Sequence, residues 1–180
     1  MSLLTLDHVT HHFAGLRAVA DFSLHVDAGE LVAIIGPNGA GKTTVFNLIT
    51  GVYRPGTGHI TFDGHDLIGR RPHQVVGYGL ARTFQNIRLF RNLSVLDNVR
   101  IAHDGRSHYS LLQSLLRLPG YTRGERRTRE RAEALLAAFG LADCAAAPAG
   151  SLPYGRQRRL EMARALATEP RLLLLDEDRK

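Results

Sequence analysis

Cysteine is nearly absent: the 180 residues hold one, Cys144. No internal disulfide can form, and its alanine-rich setting reads as a small buried thiol with no redox role. No apolar run approaches the roughly 18 residues of a membrane span, and MSLLTLDHVTHHF lacks the charged start and apolar centre of a signal peptide. The expected compartment is therefore the cytosolic side. Disorder is excluded by 44% hydrophobic and 22% charged residues. The length fits one domain, or one domain with a subdomain, and excludes two full ones. Lysine is scarce as well: Lys42 and Lys180 are the two present, in a chain that otherwise uses arginine.

The charge that is there sums to +6, 23 Lys and Arg against 17 Asp and Glu. Its distribution argues against nucleic acid as a partner. Residues 117 to 131 hold six arginines against Glu125 and Glu130, and residues 154 to 171 hold five against Glu161 and Glu169. Neither window interleaves aromatics with its arginines as single-strand binders do, so both read as solvated helix faces. His8, His11 and His12 have no cysteine or carboxylate cluster to complete a tetrahedron, so they are not read as metal ligands.

Along the chain, TLDHVTHHF and AVADFSLHV alternate as strands and turn at Asp27-Ala28-Gly29. LVAII then reads as a buried parallel strand. GPNGAGKT comes next, then a helix with Val45, Leu48 and Ile49 at helical spacing and Gly51 as its stop. RPGTGHITFDG places a short strand between turn clusters. Residues 89 to 150 read as mainly helical, with LLQSLLRLPG and ERRTRERAEALLAAFG as two amphipathic helices separated by Pro119 and Gly120.

Gly36, Gly41, Lys42 and Thr43 match G-x-x-x-x-G-K-[ST] between a strand and a helix. In such a P-loop, spanning Gly36, Pro37, Asn38, Gly39, Ala40, Gly41, Lys42, Thr43 and Thr44, glycine lets the backbone turn tightly. Successive N–H groups then face phosphate oxygens at the positive end of the helix. Lys42 would reach the β- and γ-phosphates of ATP, and Thr43 would give its hydroxyl to Mg2+. RLLLLDE supplies the complementary half: four leucines of a buried strand, then Asp176 to hold Mg2+ through water and Glu177 to polarise the attacking water.

Between these motifs lies SLPYGRQRRLEMARALATEP, and with GPNGAGKT before it and LLLLDE after it the chain resembles the ATP-binding subunits of ABC transporters. The resemblance covers nearly all of the chain. It implies an α/β fold: a P-loop NTPase core with an antiparallel β subdomain and an inserted α-helical subdomain. The division would be 1–88 for the β subdomain and P-loop core, 89–150 for the helical subdomain, and 151–180 for the signature helix and Walker B strand. It further implies that Phe13 stacks on adenine and that Gln85 in ARTFQNIRLF is the Q-loop glutamine, touching Mg2+ and sharing the catalytic role with Glu177. LRAV, ARTFQNIRLFRNLSVLDNV, the helical insert and YGRQRRLE look like the branched-chain amino acid uptake branch.

Such a resemblance implies ATP hydrolysis coupled to import, peripheral to the cytoplasmic face of the inner membrane. The implied partners are membrane permease subunits, a second ATP-binding subunit and, indirectly, an extracytoplasmic solute-binding protein. Leu89, Phe90 and the segment to Val99 would meet the permease.

Two departures stand out. The family's L-S-G-G-Q signature is here Leu152, Pro153, Tyr154, Gly155, Arg156. Proline brings neither the serine hydroxyl nor an N–H, while Leu160, Ala163 and Ala167 still fall on one helical face. The chain also ends at Lys180, before the family's D-loop and switch histidine, which would leave the sheet incomplete after the Walker B strand. The alternative function is accordingly a nucleotide-binding fragment without transport activity.

Overall fold

The computed structural model describes residues 2–85, 87–104 and 119–176. The chain divides into two compact units, Met1–Arg82 and Thr83–Lys180.

The first unit is built on an antiparallel sheet. Strand β1 (Ser2–Phe13) turns through Ala14 and Gly15 into β2 (Leu16–Asp27), and β3 (Thr57–Phe62) and β4 (His65–Asp66) extend it in the order β2-β1-β3-β4. Strict alternation carries Leu4 and Leu6 inward but would leave Val9 facing out, because it lies three residues further on. The pairing register shifts between Leu6 and Val9, where His8 takes φ 49°, and again beyond Val9, near Asp21 at φ 48°. Bulges of this kind reset the phase of a strand. As a result Val9 and Val19 are buried with Leu4, Leu6, Val26, Ile60 and Phe62.

Side chains replace the ladder bonds lost there. The His8 N–H donates to Ser23 Oγ at 3.0 Å, the Asp21 N–H to Thr10 Oγ1 at 2.9 Å, and His8 Nδ1 meets Asp21 Oδ1 at 2.6 Å. Histidine and aspartate are among the residues that tolerate positive φ.

Helix α1 (Lys42–Ile49) buries Val45, Leu48 and Ile49, the three positions its spacing predicts, and ends at Thr50 with Gly51 at φ 73°. Helix α2 (Pro72–Gly77) starts on a proline whose missing N–H is not needed there. Strand β5 (Leu80–Arg82) closes the unit, and the Arg82 guanidinium donates to Asn47 Oδ1 at 2.7 Å.

The expected buried strand at 31–35 is not formed. Residues 31–37 carry no regular structure, and Leu31 and Ile35 are 96% and 92% exposed. An apolar run becomes a buried strand only when neighbouring strands pair with it and other layers cover it. Among the described residues none pairs with this one.

In the second unit, α3 (Val95–Asp104), α4 (Pro119–Ala138) and α5 (Tyr154–Ala167) surround one apolar core. Val99, Leu136, Leu141, Leu160 and Ala163 are fully buried in it. Burying a side chain the size of leucine contributes about 1.5–3 kcal/mol. Pro119 and Gly120 belong to α4 rather than to a connection, as proline is tolerated in a first helical turn. The preceding expected helix, LLQSLLRLPG, lies largely outside the described residues.

The exposed face of α4 is laced by Arg126–Glu130 and Arg129–Glu133 at 2.8 Å each, as a solvated face should be. Asn98, fully buried, holds the turn before α3. It accepts the Phe90 N–H at 3.0 Å and donates to Phe90 O at 3.0 Å and Ser94 O at 2.9 Å. Cys144 is half-buried, and its thiol donates to Leu141 O. A short strand, β6 (Leu172–Leu174), follows α5.

Candidate functional site

In the first unit the P-loop runs from Gly36 into α1. Gly41 precedes the helix at φ 86°, and a Cβ at that position would lie 2.4 Å from the carbonyl oxygen of Ala18 in β2. A side chain is therefore excluded twice, by the left-handed backbone and by the packing of the β1–β2 hairpin against the loop. The first turn of α1 has no side-chain cap and no acidic residue, so among the described residues nothing compensates its N–H groups or the positive end of the helix dipole.

Lys42 Nζ donates to Gly36 O at 2.7 Å and Pro37 O at 2.8 Å, closing the loop around the amine. Among the described residues Lys42 has no carboxylate partner. Its charge is set against neutral carbonyls, which phosphate oxygens can replace with stronger, charge-assisted bonds. Pro37, Asn38, Gly39, Ala40 and Thr43 are exposed, with Thr44 half-buried. Among the described residues the Thr43 hydroxyl bonds to no protein group. An uncompensated ammonium, free N–H groups and a free hydroxyl are the donor set a polyphosphate and its Mg2+ require, so the residues present fit both.

Phe13 stands at the end of β1 in a cluster with His11 and Tyr53. Both rings meet it near a right angle, 87° and 81°, with centroids 4.6 and 5.2 Å away. Neither lies flat against it, and Phe13 is 40% exposed. His11 stacks on Tyr53, and its Nδ1 bonds to Arg54 O at 3.1 Å.

In the second unit Gln85 lies exposed just after Thr83 and Phe84, and Asp176 is buried two residues beyond β6. Backbone and side chain tie these two stretches together. The Thr83 N–H donates to Leu174 O at 3.0 Å, and the Asp176 N–H to Thr83 Oγ1 at 3.3 Å. Glu177 lies outside the described residues.

Arg158 and Glu161, read from the sequence as part of a solvated face, turn inward instead. Their side chains retain 18% and 7% exposure and pair at 2.7 Å. Glu161 accepts the Phe84 N–H at 3.3 Å, while Arg158 donates to Phe84 O at 2.8 Å and to Asp176 O at 3.3 Å. Sequence reasoning missed this pair. Its only trace was an Arg–Glu spacing of i,i+3 flanking Leu160. Arg164 is also drawn in, lying over Phe90 and donating to Arg88 O, and burial lowers its pKa.

The signature segment opens α5. Leu152 is buried and its carbonyl accepts from Gln157 Nε2 at 2.8 Å, Pro153 is the N-cap, and Tyr154 and Gly155 are exposed. Proline caps without a side-chain bond, so this helix too begins with uncapped N–H groups. Leu160, Ala163 and Ala167 are buried on one face, as their spacing predicts. Arg156 pairs with Asp143 at 2.8 Å, and that hydrogen bond holds the Asp143 carboxyl below its usual range.

Of the residues expected to meet a permease, Val95 and Val99 are fully buried because they form the inner stripe of α3. Leu89 packs partly on the core, and Phe90 is 48% exposed. No helix among the described residues is long and apolar enough to cross a membrane.

The ABC transporter family model matches residues 19–179. The chain is 42% identical over 175 residues to the high-affinity branched-chain amino acid transport ATP-binding protein BraF of Pseudomonas aeruginosa, covering 97% of this chain and 69% of that protein. Against LivG of Escherichia coli, which carries the same description, identity is 41% over the same shares. Among solved structures, a nucleotide-free ATP-binding cassette from an ABC transporter superposes with a TM-score of 0.78 at 31% identity, covering 98% of this chain and 69% of that one. An ATP-binding cassette in a dimeric post-hydrolysis state with ADP and Pi gives 0.78 at 25% identity, over 96% and 73%. These likenesses bear out the expected P-loop NTPase fold with its antiparallel sheet and helical subdomain.

Proposed function

Because the chain belongs to the ABC transporter family, we propose that it binds ATP with Mg2+ and hydrolyses it to drive an uptake permease for branched-chain amino acids. The observation that carries this reading is the P-loop itself: Gly41 held against β2, an uncapped α1, and Lys42 charged without a carboxylate partner among the described residues. The identity to BraF and LivG supports the choice of solute, which no residue of an ATP-binding subunit reads directly.

In this reading Lys42 exchanges its two loop carbonyls for β- and γ-phosphate oxygens, and the N–H groups of the loop and of the first turn of α1 hold the remaining oxygens. Phe13 offers a ring on which adenine stacks. Thr43, Gln85 and Asp176 are the oxygen ligands that the motifs assign to Mg2+, and Glu177 is the base that orients the attacking water. Mg2+, when bound, neutralises charge on the β- and γ-phosphates. The uncapped start of α5 at Pro153–Arg156 faces a phosphate held by a second ATP-binding subunit. The complex sits at the cytoplasmic face of the inner membrane, on permease subunits served by an extracytoplasmic solute-binding protein.

The test is calorimetric titration with ATP and Mg2+, with phosphate release measured alongside. Saturable binding lost on Lys42→Ala supports the reading. Absence of ATP binding by the wild-type chain overturns it, and binding without phosphate release points to the nucleotide-binding fragment.

A further inference from the structure

One buried ion pair holds the backbone at both residues that bracket the second half of this chemistry. Arg158 and Glu161 lie on successive turns of α5, and together they grip Phe84 at both its N–H and its carbonyl, immediately before Gln85. The same guanidinium reaches the carbonyl of Asp176. Thr83 completes the frame through its hydroxyl to the Asp176 N–H and its own N–H to Leu174 O.

A buried charged pair is a costly way to fasten a helix to a strand, and apolar residues of similar volume do that as well or better. What apolar residues cannot do is fix the direction of two peptide groups. The guanidinium fork can, because its donors are rigid and coplanar.

We propose that Arg158 and Glu161 are positioning residues for Mg2+: they set the backbone that aims Gln85 and Asp176, and through it the metal-dependent part of nucleotide affinity. The inference rests on the reading of Gln85 and Asp176 as Mg2+ ligands. In this reading Arg158 and Glu161 act through the backbone they hold and are not themselves ligands of nucleotide or metal. Their effect belongs to the Mg2+-dependent affinity alone, since the phosphate contacts of Lys42 and the P-loop amides lie in another part of the chain.

The experiment measures the dissociation constant of ATP with saturating Mg2+ and with EDTA, for the wild type, Arg158→Met, Glu161→Gln and Thr83→Val. The readout is the EDTA constant divided by the Mg2+ constant. Removing the partners that orient a metal ligand costs about 10- to 100-fold in metal affinity, and the ratio in Arg158→Met falls accordingly while the EDTA value stays at the wild-type level. Glu161→Gln preserves shape and an acceptor for Phe84, so it decides the matter if Arg158→Met does not fold.

An unchanged ratio in folded variants overturns the proposal. So does an equal loss with and without Mg2+, which is what a merely structural role produces. A wild type whose ATP affinity ignores Mg2+ overturns the reading of Gln85 and Asp176 themselves, and the positioning role with it.

Discussion

Replacing Gly58 by alanine tests whether the bulges of β1 are rigid. Gly58 lies in β3 opposite the bulged residues at φ +89°, and an added Cβ falls 2.5 Å from the carbonyl oxygens of both Asp7 and His8. Two costs arise. A non-glycine residue in the left-handed region costs roughly 1–2 kcal/mol. Forcing an atom into a packed position costs about 1–3 kcal/mol more, since it must displace backbone rather than a flexible side chain.

The expected loss is thus about 2–5 kcal/mol, a large part of the roughly 5–15 kcal/mol that holds a domain folded. Gly64 supplies the control. With Asp63 it forms the positive-φ turn between β3 and β4, at φ +77°, but a Cβ there meets nothing within 4 Å. Gly64→Ala therefore bears the backbone cost of about 1–2 kcal/mol without the clash. Urea unfolding followed by circular dichroism gives both values from their midpoints at constant slope. If Gly58→Ala is no more destabilised than Gly64→Ala, the bulge yields freely and does not hold Val9 inward.

Asn98→Ala removes a fully buried side chain that supplies an acceptor and two donors to the turn, and leaves the Phe90 N–H without its acceptor. A loss of about 2–4 kcal/mol in urea unfolding is expected, and a loss below about 0.5 kcal/mol, the size of an ordinary surface change, would contradict the role given to that side chain. The hydrogen bond to Asp21, aided by the charges of Asp21 and Asp7, raises the pKa of His8 above its ordinary 6.5. The pair therefore adds stability that is fully present below the unfolded pKa, provided Asp21 stays ionised, and is lost as pH rises through the folded value. An NMR titration should show this shift and its collapse in Asp21→Asn. Asp143 has the opposite sign: Arg156 lowers its pKa, so its contribution is present above the unfolded pKa and lost as pH falls through the folded one. Arg156→Gln should return the Asp143 titration to the ordinary carboxylate range, and an unmoved titration would place the cause elsewhere.

The features legible in the sequence were local ones. The P-loop glycines, the helix after them and the hairpin before them are specified within a few residues of themselves, and the structure places them as read. The run at 31–35 was misread because burial of a parallel strand belongs to its neighbours rather than to its own composition. Leu6 and Val9 did carry a clue, since a spacing of three within an alternating strand calls for a bulge. Arg158 and Glu161 were illegible for a different reason. Charge on a helix is solvated by default, and only the strand ends placed against α5 show that this pair is an internal brace. The helix stripe of Leu160, Ala163 and Ala167 was readable because period and burial there agree.

The arrangement around Lys42 has a practical corollary for covalent chemistry. The chain holds two lysines, Lys42 and Lys180, so the amine that closes the P-loop is its sole internal primary amine. It is hydrogen-bonded to two carbonyls at 2.7 and 2.8 Å. Acylation by an activated ester, followed by digestion and peptide-mass measurement to separate Lys42 from Lys180 and the α-amine, would report on this one atom without mutagenesis, and a lysine-specific protease would cut the interior of the chain at the same residue. Reagents that usually decorate a surface at random have, for this sequence, one internal target, and it lies in the loop.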